Sequence, residues 1–192
     1  MVRRTDTRQR LLDSAAELFQ SQGYHATGLN QLTSAGGAPK GSLYFHFPGG
    51  KEQLAAEAVR QSGERLCDAL RTLATTAPDP ATAVDRVVDA LAASLTESDF
   101  ERGCPLATIA LDAAGESDVI RSACEDGYGS WQDVLAGYFT QQGLPAARAT
   151  PLATVVLTSI EGALLFAKIR RDVTPLRDIA AHLRTTVERE FS

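Results

Sequence analysis

The side chains best suited to gripping an anion lie close together near the N-terminus. Lys40, Ser42, Tyr44 and His46 alternate along the run from Gly37 to Phe47, and Lys51 follows shortly after. Phosphate oxygens accept hydrogen bonds from ammonium, hydroxyl and imidazole donors, so this set suits a nucleic-acid backbone. Gly41 removes a side chain where a helix and a nucleic acid must approach closely. Gly50 and Lys51 stand where a new helix should begin, which offers free N–H groups and a cation to an anion. Residue type alone also allows Tyr44 as a half-buried core aromatic, His46 as a helix C-cap and the early arginines as a solvated face.

Other chemistries find no footing. The chain has no Gly-Xaa-Ser-Xaa-Gly, no His-Glu-Xaa-Xaa-His, no phosphate loop and no dinucleotide fingerprint. His25, His46 and His182 are far apart, and Cys67, Cys104 and Cys124 form neither a Cys-Xaa-Xaa-Cys pair nor a Cys/His cluster. Cys104, beside Pro105, has no obvious basic activator. The chain is therefore expected to be no enzyme, to use no cofactor or metal, and to keep reduced thiols in the cytoplasm. No apolar leader follows Arg3 and Arg4. The run from Leu152 to Ala167 is short for a membrane span and contains Glu161, so no membrane partner is expected.

Charge is unevenly spread. Six Lys/Arg against Asp6, Asp13 and Glu17 give residues 1–51 a net +3, while the whole chain of 192 residues stands at -5. A mildly basic head on an acidic body suits a small nucleic-acid module whose partner domain disfavours loose binding elsewhere.

The elements that must position these groups read as helices throughout. Leu11, Leu12, Ala15, Ala16, Leu18 and Phe19 recur at helical spacing, and Gly23 is a natural stop. A short helix over Leu29 to Ala35 follows Thr27 as N-cap, and Gly36-Gly37 end it. Pro39 fits the first turn of a second short helix. A longer one should run from Lys51 to about Thr75. Asp79-Pro80, Cys104-Pro105, Ser117-Asp118, Thr150-Pro151 and Thr174-Pro175 mark further starts, and Gly143 closes one. No stretch alternates with period two, so the expected fold is all-α. It has about nine helices, three short ones by residue 47 and six longer ones. Residues 1–50 would form a helix-turn-helix head, held by Leu29, Leu32, Leu43 and Phe47, and residues 51–192 a larger helical body.

The run Gly37-Ala38-Pro39-Lys40-Gly41-Ser42-Leu43-Tyr44-Phe45-His46-Phe47, followed by Lys51-Glu52 and Leu54, resembles the signature of the TetR/AcrR family of transcriptional regulators. The preceding helix and Thr27 fit it too, so the likeness spans residues 5–57. Pro39 departs from it, standing where many members have Ser or Arg. Ala38 to Ser42, Phe47 to Lys51 and Gly103-Cys104-Pro105-Leu106 resemble the LmrA/YxaF-like branch. The resemblance implies DNA contacts at Thr27, Lys40, Tyr44, His46 and Lys51, mostly to phosphate. Base reading would fall to Ala38, Pro39, Lys40 and Ser42. Ala38 and Pro39 cannot donate side-chain hydrogen bonds, so a thymine methyl is their natural partner. Arg3 and Arg4 would be an arm reaching the minor groove.

In the body, Phe100, Leu106, Ile109, Tyr128, Trp131 and Leu165 are the expected apolar lining of an effector pocket, with Thr108, Asp112 and Glu161 as polar anchors. Trp131 also reads as core, and Glu161 as a salt-bridge or dimer group. The last two helices, about 151–171 and 175–190, should pair with a second copy as a four-helix bundle. Leu152, Val155, Val156, Ile160 and Leu164 mark one apolar face; Leu176, Ile179, Leu183, Val187 and Phe191 mark the other. The implied function is a ligand-responsive repressor, a homodimer on a palindromic double-stranded operator, released by a small apolar or aromatic effector. An all-helical adaptor that binds protein is the alternative, and the steep salt dependence of phosphate neutralisation separates the two.

Overall fold

The computed structural model describes residues 4–192, with side chains from Asp6 onward; the side chains of Arg3 and Arg4, expected as an arm, lie outside the described residues. Within these, the fold is all-α, with nine helices and no strand. They are α1 (Arg4–Gln22), α2 (Leu29–Ala35), α3 (Lys40–His46), α4 (Gly50–Thr76), α5 (Pro80–Glu97), α6 (Pro105–Ala113), α7 (Asp118–Gln141), α8 (Ala146–Arg170) and α9 (Thr174–Glu190).

Local chemistry sets most of the boundaries. Gly23, Gly37, Gly50 and Gly143 all have positive φ, which favours glycine where one helix must stop and the chain must turn. The Asp79 carboxylate caps α5 by accepting from the Thr82 amide at 2.7 Å and its hydroxyl at 2.8 Å. Those bonds hold the Asp79 carboxyl below its ordinary range. Cys104 caps α6 by accepting from the Ala107 amide. Ser117 accepts from the Ile120 amide at the start of α7.

Four expectations need correction. The N-cap of α2 is Gly28, not Thr27. Helix α8 starts at Ala146, so Pro151 lies inside it rather than at its first position. A proline in the second turn removes a single ladder bond, which leaves the rest of a 25-residue helix intact. Thr174 is not the cap of α9; its amide and hydroxyl donate to Asp172. Lastly, α1 has 19 residues and α6 only nine, against the expected order of short and long.

The chain forms two compact units. The first comprises the residues up to Glu64 together with Cys104–Tyr128. Its core joins Leu11, Leu12, Ala15 and Phe19 of α1 to Leu32, Leu43 and Phe47 of the helix-turn-helix, all sealed from solvent. Leu54, Ala55 and Val59 of α4, Leu106 and Ile109 of α6 and Ile120 of α7 continue it. Helix α4 crosses α7 at a pair of glycines. A Cβ at Gly63 would stand 3.4 Å from the Gly127 Cα, and one at Gly127 would stand 2.5 Å from the Leu106 side chain. The hydrogen at Gly127 leaves room for the Leu106 side chain.

The second unit comprises Arg65–Gly103 and Gly129–Ser192. Here α5, α8 and α9 pack against one another. Val84, Val88 and Leu95 of α5, Ala153, Val156, Ile160 and Leu164 of α8, and Leu176, Leu183 and Val187 of α9 are buried in this core. An Arg184–Asp85 ion pair ties α9 to α5. The apolar faces assigned above to a second copy are thus largely spent within one chain. Leu152, Val156, Ile160, Leu164, Leu176, Leu183 and Val187 are buried, and Phe191 packs edge-on against Phe139. A different stripe of α8 is left outside: Val155, Leu165, Phe166 and Ile169 are exposed by 49%, 48%, 55% and 72%. By length and composition α8 is the one described helix that could cross a membrane, and its inner face is filled by this core.

Gly127→Ala should destabilise the protein by about 1–3 kcal/mol, because the new methyl must displace Leu106 in a closed core. Gly137→Ala, whose methyl would meet nothing within 4 Å, should stabilise the same helix by roughly 0.5–1 kcal/mol. Urea unfolding should therefore move the two midpoints in opposite directions, and equal shifts would refute the glycine crossing.

Candidate nucleic-acid interface

Helix α3 has seven residues, too few to hold together alone in water. Its inward residues, Leu43 within it and Phe47 just after it, fix it to the core of the first unit. That leaves Pro39, Lys40, Gly41, Tyr44 and Phe45 exposed, with Ala38, Ser42 and His46 partly so. Tyr44 is 54% exposed, which removes the core reading of this ring. Its edge lies against Gly50, where a Cβ would be 3.4 Å away. His46 ends α3 between the rings of Phe45 and Phe47, with centroids at 5.0 and 6.5 Å. Phe45, 57% exposed, was missed by the sequence reading. The signal was present, since Leu43 and Phe47 define the inward face at spacing four and position 45 falls opposite.

The turn between α2 and α3 is closed by its own backbone. The Gly36, Gly37 and Ala38 amides donate to the carbonyls of Leu32, Ser34 and Thr33. Arg10 adds a bond from Nε to the Gly36 carbonyl at 3.2 Å, and Arg8 pairs with Glu57 while lying 5.1 Å from the Phe47 ring. These two arginines brace the head against itself; they are not a free basic face.

Thr27 is fully buried, and its hydroxyl donates to the Gly23 carbonyl at 2.7 Å. A sealed hydroxyl cannot reach a phosphate, so this residue shapes the turn before α2 instead. The N–H groups expected free at the start of α4 are partly committed. Gly50 donates to the Phe47 carbonyl and Gly49 to Gln53 Oε1, both at 2.8 Å. The Lys51 ammonium lies 4.3 Å from the Tyr24 ring centroid, a cation–π placement. Partial burial draws its pKa below the ordinary lysine value, against an opposing pull from Asp112. Burial also raises Tyr24, helped by the charges of Glu52 and Glu116.

The residues expected around an effector divide between the units. In the first, Leu106 and Ile109 are buried, the Thr108 hydroxyl donates to the Cys104 carbonyl at 3.0 Å, and the Tyr128 hydroxyl lies 3.6 Å from Cys104 Sγ. Asp112 is committed to the His25 amide at 2.7 Å. In the second, Trp131 is buried, Glu161 is half-buried, and Phe100 sits at φ 62 near Arg171. Leu165 faces outward from α8, so its expected place in a pocket lining is wrong for this unit taken alone. An open groove of about 400 Å³ lies along α8 and α9, lined by Thr158, Gly162, Phe166, Pro175 and Ile179. It includes none of the nine residues expected to line or anchor a pocket. No disulfide links Cys67, Cys104 or Cys124, and burial pushes the Cys124 thiol up to about 11. No cluster of metal-ligating side chains occurs among the described residues.

Residues 11–58 match the model of the bacterial regulatory proteins of the tetR family, and residues 80–182 that of the LmrA/YxaF-like transcriptional regulator C-terminal domain. The chain is 36% identical over 184 residues to the HTH-type transcriptional regulator LmrA of Bacillus subtilis, covering 96% of this chain and 98% of that one. It is 27% identical over 178 residues to the HTH-type transcriptional repressor DhaR of a Mycobacterium species, covering 90% and 88%. A TetR-family regulator of known structure from Agrobacterium tumefaciens shares the fold with a TM-score of 0.84 at 17% identity, over 96% of this chain and 99% of that one.

Thr27→Val should cost about 1–3 kcal/mol in urea unfolding, since it strands a buried carbonyl. The folded variant should keep the wild-type salt slope of DNA binding, because no phosphate contact is lost. A slope lowered by one unit would return Thr27 to the interface.

Proposed function

Because the chain belongs to the TetR family of transcriptional regulators, in its LmrA/YxaF-like branch, we propose that it is a cytoplasmic repressor that binds a palindromic operator as a homodimer and leaves it when a small apolar or aromatic effector occupies its C-terminal helices. The observation that carries the DNA reading is the outer face of α3. Pro39, Lys40, Tyr44 and Phe45 stand outward on a helix pinned from behind by Leu43 and Phe47. A recognition helix inserted in the major groove needs that division. Lys40, Tyr44, His46 and Lys51 take phosphates, while Ala38, Pro39, Lys40 and Ser42 meet base edges. Phe45 joins them as an apolar contact.

The homodimer reading rests on the exposed stripe of α8. Leu165, Phe166 and Ile169, clustered within five positions, and Val155 about three turns earlier are exposed on α8, and Phe166 lines a groove with Gly162 beside Pro175 and Ile179 of α9. A twofold axis there makes the contact isologous and covers the groove. Repression is supported by the name of DhaR, a relative over most of the chain. The effector reading rests on the apolar character of Leu106 and Ile109 of α6. The lever is α4, a 27-residue helix that starts beside α3 and continues into the second unit at Arg65. An effector that prefers the released form a hundredfold supplies roughly 2.7 kcal/mol per site.

Selection of bound duplexes from a random pool should return a palindrome with half-sites about one helical turn apart. Lys40→Ala and Lys51→Ala should each weaken binding and lower the salt slope by about one unit; unchanged slopes would remove both from the phosphate set. Phe166→Asp combined with Ile169→Asp should convert a dimer to a monomer in light scattering. Operator affinity should then fall by about 10²-fold or more through lost avidity, and a variant still dimeric would place the interface elsewhere.

A further inference from the structure

The turn between α1 and α2 is gripped from a distant part of the chain. Asp112, on the last turn of α6, accepts from the His25 backbone amide at 2.7 Å across 87 positions of sequence. The same carboxylate oxygen would lie 2.9 Å from a Cβ at Gly23, whose φ of +85 already favours glycine. Two features therefore leave room for this contact: a missing side chain at position 23 and a turn that aims the position 25 amide at α6. Glu116, just beyond α6, stands 3.4 Å from His25 Nε2, and Ser117 donates to Glu52 on the first turn of α4. Within α6 itself, Ile109 and Ala113 face the core and Leu111 faces solvent, so Asp112 lies on the flank that meets the head.

We propose that Asp112 is a positioning residue for DNA binding: its bond to the His25 amide makes α6 a second tether of the helix-turn-helix head, besides the covalent tether through α4. Asp112 touches no DNA in this proposal. It acts through the turn from Gly23 to His25, which leads through the buried Thr27 into α2 and thus sets where α3 is presented. An ionised carboxylate is a stronger acceptor than a neutral one, and a backbone donor leaves the turn no rotamer by which to escape. A displacement of α6 is then carried to the DNA-binding face by one directional bond as well as by apolar contact. The proposal rests on the operator-binding reading above.

The test uses the full chain and the duplex recovered by selection with the wild-type protein. Asp112→Ala should speed hydrogen exchange at the His25 amide at least about tenfold and weaken binding to that duplex by about tenfold. The salt slope should stay at the wild-type value, since no phosphate contact is lost. Asp112→Asn retains an acceptor oxygen and should restore most of the affinity. Should Asp112→Ala fail to fold, Asp112→Glu, which keeps the charge but moves the carboxylate, should show a smaller loss in the same direction. A purely stabilising role predicts a lower melting temperature with unchanged affinity of the folded protein, and that result would overturn the tether. A wild-type chain that selects no duplex would instead sink the operator reading on which the tether depends.

Discussion

Everything that the outer face of α3 can do depends on the burial of Leu43 and Phe47 behind it. A seven-residue helix cannot offset the cost of its own nucleation. It exists because two apolar side chains at spacing four are sealed against the core that α1 supplies through Leu11, Leu12, Ala15 and Phe19. The seal also decides orientation. Once positions 43 and 47 point inward, positions 41 and 45 must point outward, whatever their chemistry, and Lys40 and Tyr44 are exposed beside them. Arg10 on the Gly36 carbonyl and Arg8 at Phe47 and Glu57 reinforce this arrangement from α1. These two arginines of α1 thus serve the scaffold of the head.

The second unit applies the same logic to a helix with two apolar faces. Helix α8 carries hydrophobic side chains nearly all round, and one set is consumed by α5 and α9. Val155, Leu165, Phe166 and Ile169 cannot join that set, because a helix presents only about a third of its circumference to one neighbour. Such a stripe on the surface of a folded chain calls for a partner. The ion pairs that surround the unit, Arg184 with Asp85 and Arg148 with Glu190, fix the helices in register but leave the stripe uncovered.

Between α3 and α6 the first unit replaces bulk with close approach. At the α4–α7 crossing two glycines bring the backbones together, and at Gly23 the missing side chain admits the Asp112 carboxylate. A methyl at Gly127 would collide with Leu106, and one at Gly23 would crowd the Asp112 carboxylate in a backbone conformation that favours glycine. Lys51 belongs to the same neighbourhood. Its ammonium rests over Tyr24, whose turn Asp112 holds, so one segment orders both the cation at the start of α4 and the turn ahead of α2.

Features governed by a few neighbouring residues were legible in the chain itself. The stops at Gly23 and Gly143, the Asp79 and Cys104 caps, the helix-turn-helix and the all-α class follow from local φ preference, capping and period, which need no distant partner. The family likeness rested on the same contiguous run from Gly37 to Lys51. What only the tertiary structure decided was the use of each side chain once helices met. Thr27 looked like a cap and became a buried donor; Leu152, Ile160 and Leu183 looked like an interface and became core; Asp112 looked like a pocket anchor and holds a turn 87 residues away. Pro151 looked like a helix start because the Thr150-Pro151 signal is read over two residues, whereas packing along 25 residues outweighs one lost bond. An amphipathic pattern records that a face must be covered, and only the arrangement of the other helices determines by what.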